Sequence, residues 1–264
     1  MEDFIALRKR AKEIYEQNAS PRHTPYFPPP PSKFLSPEEF LVELAEAVFV
    51  NSPKVQHPFV VKLVKGEWSF KQIQEWAKEG YHDKVQTIRN DAMIVATAPT
   101  LDEMKKQASV LACEVGIEHS GEPSHPELWL QFGEALGLSR DEIMNSKPTA
   151  ITEIVITAEH ARSMTQKVGG LPANLRLGER VTSIVYPIWA EVLRTKYNVS
   201  KEGVSFFTSH EEADEDHSEI GKRIVLNRAT TREAQMEMWL HQERSGARQW
   251  VSYDGYYQAA MRVQ

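Results

Sequence analysis

Cysteine is nearly missing from this chain: one residue, Cys113, in 264. That excludes an internal disulfide framework and a cysteine-rich zinc or iron–sulfur site. Long apolar runs are missing too. None reaches the roughly 18 residues of a membrane-crossing helix, and residues 1–17 are too charged for the apolar core of a signal peptide. Phosphate-cradling patterns such as GxGxxG or GxxxxGK do not occur, which argues against a nucleotide cofactor. The net charge of −6, with no basic stripe, leaves no footprint for nucleic acid. Strand alternation and fixed-period repeats are absent as well. What remains is an ordinary globular composition, 41% hydrophobic and 26% charged. A cytoplasmic protein with no membrane and no nucleic-acid partner is the expectation.

What is present is helical periodicity. Phe4, Leu7, Ala11, Ile14 and Tyr15 predict a short amphipathic helix over 2–17. Residues 21–32 hold six prolines and predict an extended strap packed across the domain. Ser36-Pro37-Glu38-Glu39 and Ser69-Phe70-Lys71-Gln72 are capping boxes, each followed by an apolar stripe, and Ser139 opens a further short turn. Segments 101–116 and 126–136 are helical by period, the second stopping at Gly137. Four more follow at 150–167, 174–197, 203–226 and 230–251, broken at Gly169-Gly170, Asn198 and Asn227. The prediction is an all-α, single-domain bundle of seven to nine helices over 36–264, with an N-terminal helix and strap over 1–35.

One segment carries chemistry. In FFTSHEEADEDH, His210, Asp214 and His217 stand at i, i+4 and i+7, within ~60° of one another on a helix. Two imidazoles and a carboxylate on one face suit a first-row transition metal, although so acidic a run also reads as a solvated face. Glu118 and His125 repeat the seven-residue spacing, with Gly121 and Pro123 between them breaking any continuous helix. Glu179 is the better placed of two acids in 174–197. Glu114, one turn before Glu118, is an alternative ligand or a hydrogen-bond partner for a ligand imidazole.

These residues carry a resemblance. Glu118…His125, then Glu179, then His210-x-x-x-Asp214-x-x-His217, stand in the order found in the haem-oxygenase-like diiron oxidases, within the thiaminase-II and pyrroloquinoline-quinone-synthase fold. Residues 57–94, 124–138 and 186–198 also look like segments of that superfamily, and the likeness spans roughly 36–255. It implies a haem-oxygenase-like fold and a six-residue ligand set, Glu118, His125, Glu179, His210, Asp214 and His217, for two irons, with manganese as a substitute metal. No catalytic residue beyond those ligands is implied. The implied activity is O2-dependent oxidation of an amino acid or fatty acid by N-oxygenation, carbon–carbon cleavage or desaturation, with an external reductant where turnover needs one. Folds of this type often dimerise, so a homodimer joins the expected partners. The alternative is a metal-free oxidase or hydrolase, quinone-synthase-like or thiaminase-like.

The 4-aminobenzoate-forming branch has a tyrosine before the middle glutamate, where this chain has Gly178. It has a lysine about ten residues further on, where this chain has Trp189 and Ala190. The sequence therefore points to an external substrate. Tyr81, Arg89 and His160 are the candidate substrate contacts, Arg89 through a bidentate grip on a carboxylate.

Overall fold

The computed structural model describes residues 4–18, 27–116, 123–165, 167–168, 171–172 and 177–263, without the side chains of 163, 165, 167–168, 171–172 and 210–218. Among the described residues there are twelve α-helices: α1 Phe4–Gln17, α2 Pro37–Asn51, α3 Pro53–Gln56, α4 Pro58–Lys65, α5 Phe70–Thr97, α6 Leu101–Val115, α7 His125–Ala135, α8 Arg140–Met144, α9 Ala150–Thr165, α10 Leu177–Lys196, α11 Ser205–Arg228 and α12 Arg232–Met261. The all-α expectation holds, but the helices outnumber the seven to nine expected. Pro53 and Pro58 each open a new short helix, because proline is welcome at a first turn and disruptive inside one. A 3-10 turn, Glu202–Val204, precedes α11. Among the described residues the β content is one antiparallel pair, Lys167–Val168 with Leu171–Pro172.

Capping signals are realised where the sequence placed them. Ser36, Ser69 and Ser139 each close a reciprocal capping box, and Gly66, Gly116 and Gly137 take positive φ at helix ends. One boundary moved. Asn227 lies inside α11, and the break falls at Ala229–Thr231, where Thr231 caps α12. No described helix is long and apolar enough to cross a membrane.

The long helix α5 packs against α6, α7, α9 and α12, while α10 packs against α11 and α1. Leu7, Ala11 and Tyr15 of α1 enter the same apolar core as Trp76, Trp129, Trp189 and Phe207. Pro187 explains one docking contact. It sits inside α10 with no N–H, so the Ser183 carbonyl loses its helical donor, and Arg8 Nη2 of α1 donates to that oxygen at 3.3 Å. The described part of the proline strap lies against α12: Trp239 Nε1 donates to Pro28 O at 2.9 Å, and Gln235 Nε2 to Leu35 O at 2.7 Å. Residues 21–26 of the strap lie outside the described residues. Buried Glu79 of α5 pins the start of α9 by accepting from Thr149 N at 2.9 Å and Thr149 Oγ1 at 2.7 Å. These contacts hold α5, α9, α10 and α12 around a central cavity.

Candidate active site

The cavity has a volume of about 260 Å³ and is lined from α3, α5, α6, α7, α9, α10, α11 and α12. An aromatic wall closes one side. Trp129 stands edge-on to Phe206 at 4.8 Å and to Trp76 at 5.5 Å. Trp129 is fixed by donating from Nε1 to Ala77 O at 2.7 Å, and it lies so close to α5 that a Cβ on Gly80 would meet its ring at 2.3 Å.

Against this wall sits His125, the first residue of α7, placed by the Ser124 cap. Its ring is buried, with Nδ1 2.6 Å from Glu114 Oε2 at the end of α6. Burial pulls the imidazolium down. Hydrogen bonds to Cys113 and Glu114, with the Glu114 charge, outweigh burial and lift the ring to about 10. A carboxylate on one ring nitrogen fixes the orientation of an imidazole, the usual support of a metal-binding histidine. Glu114 thus takes the partner role the sequence had left open.

Glu179 also lines the cavity from the first turn of α10, with Oε2 buried. Next to it, Lys54 Nζ lies 3.4 Å from Gly178 O and bonds Thr182 Oγ1. His210, Asp214 and His217 fall within the unbroken helix α11, so their spacing does put them on one helical face. Their side chains, and Glu118 entirely, lie outside the described residues. The described residues alone bring together no three of His, Cys, Asp or Glu able to hold a metal. Helix α6 ends at Val115 and α7 begins at His125.

The candidate substrate contacts lie elsewhere. Arg89 and His160 are exposed, Tyr81 packs at the edge of the apolar core, and none of the three lines the cavity. Their helices do contribute, through other residues. From α5 come Asp83, Lys84, Thr87, Asn90 and Asp91, and from α9 Glu159 and Arg162. Arg89 and His160 each stand one position from a lining residue, about 100° round the helix. The sequence did carry a signal for α5, since those five residues recur at helical spacing on a face that a plain core helix would fill with apolar side chains.

Asp83 accepts from Lys84 Nζ and from the Tyr256 hydroxyl, both at 2.9 Å. Burial alone would raise its carboxyl, but Lys84, Tyr256 and Lys54 hold it below the ordinary range. Burial, the largest cause, and then neighbouring Tyr186 and Asp83 push the Tyr253 phenol well above its ordinary value, and burial with Asp83 does the same to Tyr256. Near neutral pH Asp83 is therefore a carboxylate, with the Tyr256 phenol protonated and donating to it and the Tyr253 phenol protonated as well.

This helical cup with a carboxylate-supported histidine matches a known family model, TENA/THI-4/PQQC, over residues 44–238. The chain belongs to that family. Among its relatives, a "4-aminobenzoate synthase" of Chlamydia pneumoniae is 26% identical over 186 residues, 70% of this chain and 80% of that one. A "pyrroloquinoline-quinone synthase" of Klebsiella pneumoniae is 31% identical over 114 residues, 43% of each chain. Among solved structures, a CADD-like protein of unknown function from Nostoc punctiforme superposes with a TM-score of 0.65 at 15% identity, covering 86% of this chain and 97% of its own. A domain of unknown function from Shewanella denitrificans, described as having a heme oxygenase-like fold, gives 0.63 at 17% identity, covering 84% and 90%. The haem-oxygenase-like fold expected from the motif order is the fold of this TENA/THI-4/PQQC member.

Proposed function

We propose that this family member is an enzyme that uses a pair of irons and O2 to oxidise a small external metabolite. The observation that carries the reading is the Glu114–His125 pair in the wall of a cavity that Glu179 also lines. A single imidazole oriented by a carboxylate, with a second carboxylate on the same cavity, fits the donor chemistry of iron or manganese. His125 and Glu179, with Glu118, His210, Asp214 and His217, would hold the metals. When bound, two irons would supply the binding and reduction of O2. Relatives named as 4-aminobenzoate and pyrroloquinoline-quinone synthases support an enzyme acting on a small molecule.

The protein's own residues have definite tasks. Glu114 sets the plane of His125. The rings of Trp76, Trp129 and Phe206 keep bulk water from one side of the cavity. Tyr253 stays protonated, while Asp83 accepts from both Tyr256 and Lys84 and holds Lys84 in place. The chain acts on a separate substrate, because Gly178, Trp189 and Ala190 occupy the positions of the tyrosine and lysine used by the 4-aminobenzoate-forming branch.

The test is anaerobic loading with Fe(II), metal analysis, and O2 consumption with candidate amino acids, followed by intact mass of the protein. The reading expects two irons per chain, repeated turnover and an unchanged mass. Retained O2 uptake after His210→Ala, Asp214→Ala and His217→Ala, or turnover without metal, would replace it with the metal-free enzyme.

A further inference from the structure

Asp83 and Lys84 of α5 form an ion pair on the cavity wall, and the pair leaves each partner incompletely bonded. Lys84 Nζ and the Tyr256 hydroxyl both donate to Oδ2, so Oδ1 has no donor among the described residues. The Asp83 side chain keeps 33% of its surface open inside the bundle, and the cavity is what it lines. A lysine head carries three donors. Lys84 directs one to Asp83, and its Nζ otherwise lies over rings, 5.1 Å from the centroid of Trp129 and 5.5 Å from that of Phe206. An enclosed ion pair is favourable only when its remaining lone pairs and N–H groups find partners. A ligand with an acceptor for Nζ and a donor for Oδ1 supplies both.

Two opposite charges side by side make a dipole, and their complement is the same dipole reversed. An ammonium and a carboxylate on one carbon, as in an α-amino acid, have that form. A lone carboxylate placed here meets Lys84 but is repelled by Asp83, and a lone amine meets the opposite conflict. The Phe206 ring beneath Lys84 also stands 5.9 Å from His125, so a ligand held by the pair lies beside a proposed iron ligand.

Helix α12 adds a second, independent feature. Gln242, Ser245 and Gln249 line the cavity at i, i+3 and i+7, one face of the helix. None of the three hydrogen-bonds to a described residue, and Gln242 is only 7% exposed. A buried amide without a partner is costly. A fatty-acyl chain laid along this face would leave it unpaired, whereas a polar side chain pairs it.

We propose that Asp83 and Lys84 seat the head of a zwitterionic amino acid, and that Gln242 bonds a polar group on its side chain. This deepens the proposed function and rests on that reading only in taking the bound amino acid to be the substrate. The seat is made of side chains alone and needs no iron.

The test therefore uses metal-free full-length protein and isothermal titration calorimetry with each of the twenty common L-amino acids. The tightest binder is then compared with its two half-analogues, the acid lacking the amino group and the amine lacking the carboxylate. Expected is saturable binding of an amino acid with a polar side chain, with both half-analogues at least roughly tenfold weaker. In Lys84→Met the amino acid should bind no better than the amine, and in Asp83→Asn no better than the acid. Gln242→Leu should weaken it several-fold, each variant keeping the parent's helical circular-dichroism spectrum. Where a variant fails to fold, the half-analogue comparison on the parent chain decides. No saturable binding of any amino acid, a half-analogue that binds as tightly as its parent, an apolar tightest binder, or full affinity in Lys84→Met would each overturn the proposal. None of these outcomes bears on iron loading, so failure here and failure of the diiron reading are read separately.

Discussion

At the scale of single residues, the site is organised by pairs rather than by isolated ligands. Glu114 is the clearest instance: it touches His125 Nδ1 at 2.6 Å and orients the ring. Replacing Glu114 by Gln should weaken Fe(II) binding about 10–100-fold, read by anaerobic titration, while the fold stays intact. His241 offers a pH prediction. It is buried, and burial followed by Arg162, Arg248 and Arg244 depresses it from 6.5 to about 3. With the folded value below the unfolded one, its contribution to stability is present above 6.5 and is lost as pH falls from 6.5 towards 3. Thermal unfolding should therefore drop in Tm across that window, and His241→Gln should flatten the drop. A mutant with the same acid slope as the parent would contradict this. The helical spacing of His210, Asp214 and His217 was legible in the sequence because a helix repeats on a fixed angle, and α11 spans all three. Arg89 and His160 were misplaced because the sequence does not give the absolute rotation of α5 and α9 about their axes. That rotation is set by packing, through contacts such as Trp129 on Gly80 and Thr149 on Glu79.

At the scale of elements, local chemistry fixed where helices begin, and tertiary contacts fixed where they go. Ser36, Ser69 and Ser139 were readable as caps because their partners lie three residues on. The division of 53–65 into two short helices was not, since Pro53 and Pro58 permit either a start or a loop. Arg8 and Pro187 form a dependency between α1 and α10 that no local pattern reveals. Arg8→Met should destabilise the protein by about 1–2 kcal/mol, because it strands the Ser183 carbonyl. In a Pro187→Ala background that carbonyl regains its helical donor, and the same substitution should cost measurably less by urea denaturation. Gly80→Ala makes a steric claim: its Cβ would stand 2.3 Å from the Trp129 ring. A loss of about 1–3 kcal/mol is expected. An unchanged midpoint would mean that Trp129 does not sit against α5 as described.

For the whole molecule, the bundle brings distant stretches of sequence to one small cavity with chemically different walls. The rings of Trp76, Trp129 and Phe206 make one wall, and the polar stripe of α12 with Glu159 and Arg162 makes another. Helical periodicity, motif order and the look of the flanking segments pointed to the fold, and the family match over 44–238 with the heme oxygenase-like structural likeness bears that out. The polar wall stayed hidden because Gln242, Ser245, Gln249 and Ser252 look like the solvent face of an ordinary amphipathic helix until α5 and α9 are packed over them. The central claim is that six residues from α7, α10, α11 and the stretch after α6 hold two irons. Its most direct test is an anaerobic 57Fe(II) titration of the wild-type chain and of the Glu179→Ala and His217→Ala variants, read by metal analysis and Mössbauer spectroscopy. The account predicts two irons per wild-type chain and at most one in each variant. A wild-type chain that binds no iron, or variants that bind as much as the parent, would contradict it.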